Sequence, residues 1–516
     1  MASPLKKLER SLRYVGAGVA AWQLRRAKDD EVRLRAAGLL QERLGRMRGL
    51  PQKVGQLLSM TAGEDVAAEL AKLREGAEAM PLAELTPLLE DAWGRPLGEV
   101  VKEIDEDGLA ASLGQVHRAV LLDGREVAIK VRYPGVASAV DADLSALGWV
   151  ASPVGNLRRG FRMDEYQHVL RESLVEELDY ELEARNQMDV AEAAPGLALC
   201  VPEVVSELSH HDVLVTSWEA GETLEQVAGC WSVKDRERLG DLLVKQFLEL
   251  ALIHGLVHAD PHPGNYRFRR TIQGRPEVVL YDFGCVHRLE RDERLALARL
   301  LHSVASADRS EDPFPLLVAL GFDADLLRPM RGRLPALCSV LFEPFASRAR
   351  FDLESWNNGE RLVDVLGDDR HAFRIAGPAK LLFLLRAWHG LLHQLDQLGV
   401  PALWSRPLTE VWGQLGEDAR ALDLPEPPDP SSTLGTLAEK LEIHVSRGGK
   451  TSARVGLPAG AVERLGDFLD DDLRERIAAR GIVLDDLVAD TRRRGYAPGV
   501  LFDLDDGERR FEVRLV

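Results

Sequence analysis

Two loops in this 516-residue chain carry the residue types that metal-assisted phosphoryl transfer requires. The first is His258-Ala259-Asp260-Pro261-His262-Pro263-Gly264-Asn265, and the second opens with Asp282-Phe283-Gly284. Phosphoryl transfer asks a protein for positioning and charge neutralisation more than for covalent chemistry. Asp260 suits the group that orients an attacking oxygen or accepts its proton. Asn265, five residues on, offers an amide oxygen to magnesium. Asp282, seventeen residues past Asn265, supplies a carboxylate to hold magnesium against nucleotide phosphates. The triplet alone recurs by chance; both loops in this order and spacing do not. His258, Asp260 and His262 also alternate as zinc ligands would. That reading leaves Asn265 and Asp282 unexplained.

The elements around these loops read as a nucleotide-binding framework. A helix over about 233–256 delivers the first loop, and the apolar strand Glu277–Tyr281 delivers the second. Upstream, Gly108–Ala119 leads through the turn signal Asp123-Gly124 into Glu126-Val127-Ala128-Ile129-Lys130-Val131. That is the strand, loop, hairpin and V-A-I-K strand of a kinase nucleotide lobe, in which Lys130 reaches the α- and β-phosphates. Ala110, Ala111, Ser112, Gly114, Gln115 and Val116 form the loop over the phosphates, with Ala128 facing the nucleotide beside Lys130. The loop is not G-x-G-x-x-G; its small residues admit a phosphate but tolerate positive φ less readily than glycine. Residues 163–190 read as one long helix, from which either Glu177 or Glu183 pairs with Lys130. Backbone groups of Ser217, Trp218, Glu219 and Ala220 sit where a hinge would meet the adenine.

Composition narrows the class. The net charge is 65 − 83 = −18, which argues against general nucleic-acid binding. Residues 1–53 nevertheless hold thirteen Lys/Arg and five Asp/Glu, a local +8 suited to anionic lipid or an acidic partner. Four scattered cysteines without a C-x-x-C indicate free thiols in a reducing compartment. No signal-peptide pattern is present at Tyr14–Trp22. The most apolar stretch, Leu381–Val400, contains Arg386, His389, His393 and Asp396 and so does not read as a membrane span. The expected location is cytoplasmic, peripheral to a membrane at most. Residues 424–433 are a Pro-rich linker, and 434–516 alternate strands and short helices as a small α+β interaction module. Gly449-Lys450-Thr451 is not a phosphate loop, because the earlier glycine it needs falls at His444.

Taken in order, K-x-G-Q at 53–56, S-L-G-Q-V at 112–116, V-A-I-K at 127–130, E-x-D at 177–179, the H-P-G-N loop and D-F-G resemble the UbiB/AarF family of atypical kinases. The resemblance covers roughly residues 40–400. It implies an α+β, bilobal protein-kinase-like fold: a helical extension over 1–100, an N-lobe over 101–222, and a helical C-lobe over 223–423. It implies ATP and magnesium as cofactors and a link to coenzyme Q and other isoprenoid lipids, with the extension occluding the place of a peptide substrate. Carried over by position, Lys53, Gly55, Gln56 and Asp179 gate the site. Lys130 with Glu183 or Glu177 holds the phosphates, Asp260 positions the reacting group, and Asn265 and Asp282 hold magnesium. Two departures stand out. The family's alanine triplet is here Leu109-Ala110-Ala111, and the 434–516 module stands where many relatives carry hydrophobic membrane segments. The expected function is an ATPase, or a phosphotransferase acting on a lipid or small molecule. The alternative is a nucleotide-binding scaffold read by a protein partner through the C-terminal module.

Overall fold

The computed structural model describes residues 79–516 except 112, 135–168, 170–171, 173–174, 307–310, 368–372, 374, 425–437 and 439. Beyond residue 447 it also omits 448–449, 459–460, 463–464, 466–473, 475, 479, 481, 494–497 and 506–508. The basic segment 1–53, Lys53, Gly55, Gln56, Ser112 and most of the linker therefore lie outside the described residues.

The first lobe is built on an antiparallel sheet in the order β1 (Val101–Ile104), β3 (Gly114–Leu121), β4 (Glu126–Arg132), β6 (Val213–Ser217), with β2 (Leu109–Ala110) pairing to β3. Strand alternation divides its two faces. Val127, Ile129 and Val131 of β4 point to a dry face, closed by Leu85 and Leu89 of helix α1 (Leu82–Trp93). Those two leucines, one helical turn apart, are fully buried, which contributes roughly 1.5–3 kcal/mol each. Thus α1, grouped with the extension on sequence, packs into the N-lobe core. Ala128 and Lys130 point to the other face, over the cleft. The β3–β4 hairpin turns at Gly124, whose φ of +90° is the conformation the Asp-Gly pair anticipates.

Residues 163–190 are not one helix. Residues 175 and 176 are helical, the chain turns at Glu177–Leu178, and Asp179 adopts extended φ/ψ to cap a new helix, α2 (Tyr180–Ala193). Its carboxylate accepts from the N–H groups of Glu181 and Leu182 at 3.0 and 3.1 Å.

In the second lobe, α3 (Leu224–Cys230) and α4 (Val233–Leu248) open the chain, and Ser232 caps α4. The register then widens to a π-helical turn over Glu249–His254, closed by Gly255 in the left-handed region. β7 (Leu256–His258) follows and pairs with β10 (Val286–Arg288); the parallel partner β5 (Leu199–Cys200) and antiparallel β8 (Tyr266–Arg270) flank β9 (Pro276–Leu280). Helices α5 (Arg291–Ala305), α6 (Leu381–Leu398) and α7 (Ser405–Ala421) complete the lobe with shorter ones between α5 and α6. No described helix is long and apolar enough to cross a membrane.

The last described unit is a four-stranded antiparallel sheet, β12 (Lys450–Pro458), β11 (Lys440–Arg447), β14 (Arg509–Leu515), β13 (Gly499–Asp505), with helix α8 (Leu484–Arg493). Its apolar residues Leu441, Phe502 and Val513 belong to the same contiguous buried cluster as the second lobe. α8 touches the short helix Ala324–Leu327.

Candidate active site

The cleft roof comes from β3 and β4. Val116 stands opposite Lys130 in the strand register, beside Ala128. The β2–β3 turn is closed by the Ala111 N–H donating to the Gly114 carbonyl at 2.8 Å. Gly114 is required by packing: a Cβ there would lie 2.3 Å from the Val131 carbonyl oxygen and 2.7 Å from the Tyr180 hydroxyl. Ala110 is exposed, as is its neighbour Leu109.

Lys130 is the meeting point of three elements. Its Nζ donates to both carboxylate oxygens of Glu183 on α2, at 2.7 and 2.8 Å, and to Asp282 Oδ2 at 3.0 Å. The Tyr180 ring lies 5.0 Å from the ammonium. Burial works against the Lys130 cation, but the carboxylates of Asp282 and Glu183 outweigh it and hold its pKa well above the ordinary lysine value. Burial pushes the Glu183 carboxyl up to about 7 despite Lys130, and the Asp282 charge adds to the push. Two carboxylates around one ammonium leave an excess of negative charge in a partly buried place. A divalent cation answers that excess, so the residues fit magnesium. α2 also fixes the second loop: Glu183 Oε1 accepts from the Phe283 N–H at 3.4 Å, and Asn186 Nδ2 donates to the Phe283 carbonyl at 3.0 Å.

Glu177 lies beside Gly284, its Cγ 3.4 Å from where a Cβ on that glycine would be, and outside the pair with Lys130. Glu183→Gln is therefore expected to weaken nucleotide binding roughly 10-fold, and Glu177→Gln by no more than about twofold. Titration of both variants with a fluorescent ATP analogue checks this; equal losses would remove the distinction.

The first loop is held from below. His258 is partly buried, and desolvation lowers its pKa below the ordinary histidine value. Its Nε2 donates to the Asp282 carbonyl at 2.5 Å. That leaves Nδ1 to accept from the Tyr266 hydroxyl at 3.2 Å. Both ring nitrogens are thus engaged, which opposes a zinc-ligand role. Asn265 Nδ2 donates to the Asp260 carbonyl and to Asp260 Oδ2, each at 3.1 Å. With the amide nitrogen turned to Asp260, the Asn265 Oδ1 is the group left for a hard cation. Asp282 Oδ1 accepts from the Gly284 N–H at 3.0 Å. The other Asp260 oxygen, Oδ1, accepts from Arg386 on α6 at 3.1 Å. No group of three or more His, Cys, Asp or Glu that could enclose a metal occurs among the described residues. Asn265 and Asp282 would hold magnesium together with phosphate oxygens, and the ion would supply charge neutralisation there.

Residues 72–311 match the profile of the ABC1 atypical kinase-like domain. The chain carries an ABC1 atypical kinase-like domain. It is similar to the mitochondrial atypical kinase coq-8 of Caenorhabditis elegans, 36% identical over 252 residues, which cover 47% of this chain and 33% of that protein. It is also similar to AarF domain-containing protein kinase 1 of Xenopus laevis, 30% identical over 305 residues, 58% of each. The chain therefore spans between a third and three fifths of the length of these relatives. Among solved structures, a Mycobacterium tuberculosis protein in complex with erythromycin is similar at a TM-score of 0.49 and 24% identity. That likeness covers 74% of this chain and 97% of that one.

Within the ABC1 domain, several residues marked from sequence take parts other than those expected. Gln115, assigned to the nucleotide, is fully buried and turned away: its Nε2 donates to the Met80 carbonyl at 2.9 Å and its Oε1 accepts from the Met80 N–H at 2.7 Å. Its Nε2 also lies 2.8 Å from His117 Nε2. Asp179, assigned to gating, is the N-cap of α2. In the hinge, the N–H groups of Ser217 and Trp218 bind the carbonyls of Glu203 and Glu126, and the Glu219 carbonyl accepts from Tyr281 at 2.7 Å. Arg118 covers the Trp218 ring at 5.1 Å. Ala220 is exposed at the end of this segment. Sequence reasoning missed Asn186, Tyr266 and Arg386. Asn186 had no signal separating it from a polar helix face. Arg386 had one: a charge within a leucine-rich helix.

Proposed function

We propose that this chain binds ATP with magnesium and moves the terminal phosphoryl group, as an ATPase or as a phosphotransferase acting on a small or lipid-linked molecule. The observation that supports it is the gathering of Lys130, Glu183 and Asp282 from a strand, a helix and a loop into one partly buried cluster. Asp260 and Asn265 stand on the adjoining loop. In this reading Lys130 holds the phosphates, Asp260 orients the attacking oxygen, and Asn265 and Asp282 take the metal. A scaffold that only bound nucleotide would have no need of a carboxylate set in place like Asp260. The family resemblance and the likeness to coq-8 direct the acceptor towards isoprenoid-lipid, coenzyme Q-type metabolism. The +8 segment 1–53 then serves contact with anionic lipid.

The test is steady-state ATP hydrolysis by the full chain with magnesium, with and without anionic or isoprenoid-containing liposomes, beside Asp260→Asn. Magnesium-dependent turnover that rises with lipid and disappears in the variant is the expected result. Tight nucleotide binding without turnover in any condition would replace this function with the scaffold.

A further inference from the structure

Helix α6 contains none of the sequence motifs, yet three of its residues at successive four-residue steps meet the first loop and the first residue of β8. Arg386 NH2 donates to Asp260 Oδ1 at 3.1 Å. Gly390 faces Pro261 so closely that a Cβ there would lie 1.9 Å from the proline Cβ. The Gln394 side chain approaches the Tyr266 hydroxyl, which meets His258 at 3.2 Å, and His258 holds the Asp282 carbonyl. Residues at i, i+4 and i+8 share one helix face, so a single stripe of α6 lies against the first loop and the start of β8, and reaches the second loop only through His258.

We infer that Arg386 is a positioning residue for Asp260. Gly390 sets the distance between helix and loop, and Gln394 steadies the second loop through Tyr266 and His258. This rests on the phosphoryl-transfer reading above. The energetics favour a role in placement over a role in stability. Arg386 is 6% exposed, and its Nε is buried without a hydrogen-bond partner. A buried ion pair with an unsatisfied donor is a poor stabiliser beside an apolar side chain of similar length. It does fix direction. With Oδ1 taken by Arg386 and Oδ2 by Asn265, the Asp260 carboxylate cannot rotate about its Cβ–Cγ bond without giving up both bonds. An attacking hydroxyl would therefore meet a carboxylate already set in its plane.

The test compares Arg386→Met, Arg386→Lys, Asp260→Asn and the double variant Asp260→Asn/Arg386→Met in the full chain. Arg386→Met is expected to lower ATP turnover roughly 10- to 100-fold, with magnesium-nucleotide affinity kept within about twofold. Arg386→Lys should recover part of the loss, and the double variant should turn over no more slowly than Asp260→Asn alone. Wild-type turnover in Arg386→Met overturns the inference. So does a loss of affinity and melting temperature in step with turnover, which would mark a merely structural role. If the wild-type chain hydrolyses no ATP, the proposed function fails separately, and thermal unfolding still reads the pair. Melting shifts of Arg386→Met and Asp260→Asn that fail to add in the double variant support the contact; additive shifts overturn it.

Discussion

Asp282→Asn is expected to abolish magnesium-dependent nucleotide binding while leaving the chain folded. The carboxylate meets the Lys130 ammonium at 3.0 Å through Oδ2 and takes the Gly284 N–H through Oδ1. An amide keeps one acceptor for Gly284, so the loop retains its turn. The side chain loses the charge with which it would hold magnesium in the proposed reading, and the cluster loses the negative excess that a divalent cation would answer. A weakening on the order of 100-fold corresponds to about 2.7 kcal/mol. Calorimetric titration with ATP, with magnesium and then with EDTA, separates the metal-dependent part from the rest. If the variant still showed magnesium-stimulated binding close to wild type, Asp282 would have no part in holding the metal.

Gly114→Ala is the second large effect, and it falls on stability. The added methyl would meet the backbone carbonyl of Val131 at 2.3 Å, on the strand paired with β3. No rotamer relieves a clash with backbone, so β3 and β4 must move apart at the point where Lys130 hangs from the sheet. The Tyr180 hydroxyl, 2.7 Å from the same position, presses from α2. Overpacking of this sort costs about 1–3 kcal/mol and sometimes more. Thermal unfolding with and without nucleotide measures it. A variant as stable as wild type, with unchanged affinity, would show that the lobe has slack here which these distances deny.

Much of the site could be read from the chain because its residues stand next to structural punctuation. Asp260 and Asn265 sit among prolines and a glycine that exclude strand and any helix beyond the single 3-10 turn Pro263–Asn265, and Asp282 follows an apolar run too short for anything but a strand. The choice between Glu177 and Glu183 could not be read. Glu176 to Asn186 contains no Gly or Pro and is mostly Glu, Leu, Ala and Arg, so a lone Asp179 does not announce an interruption. The break comes from Asp179 spending its carboxylate on two backbone N–H groups, and a side chain's choice of partner leaves no periodic trace. Gln115 misled for a related reason. Its neighbours face the cleft, but alternation along β3 sends its own side chain to the opposite face, towards Met80. Arg386 stood out as a charge in a leucine-rich helix, but its partner lay beyond reach, because 126 residues separate it from Asp260 and only packing brings α6 to the loop.

The two hydrogen bonds between Gln115 and Met80 form a small clasp, an amide gripping one residue's N–H and carbonyl as a neighbouring strand would. Met80 stands two residues ahead of α1, at the point where the chain from K-x-G-Q enters the lobe. Tension on that leading segment is thus delivered first to the start of β3, one residue past Gly114, rather than to the helix that follows. The amino-terminal chain is tethered to the hairpin over the cleft at Met80, and whatever anchors or pulls it has a handle on the β2–β3 turn.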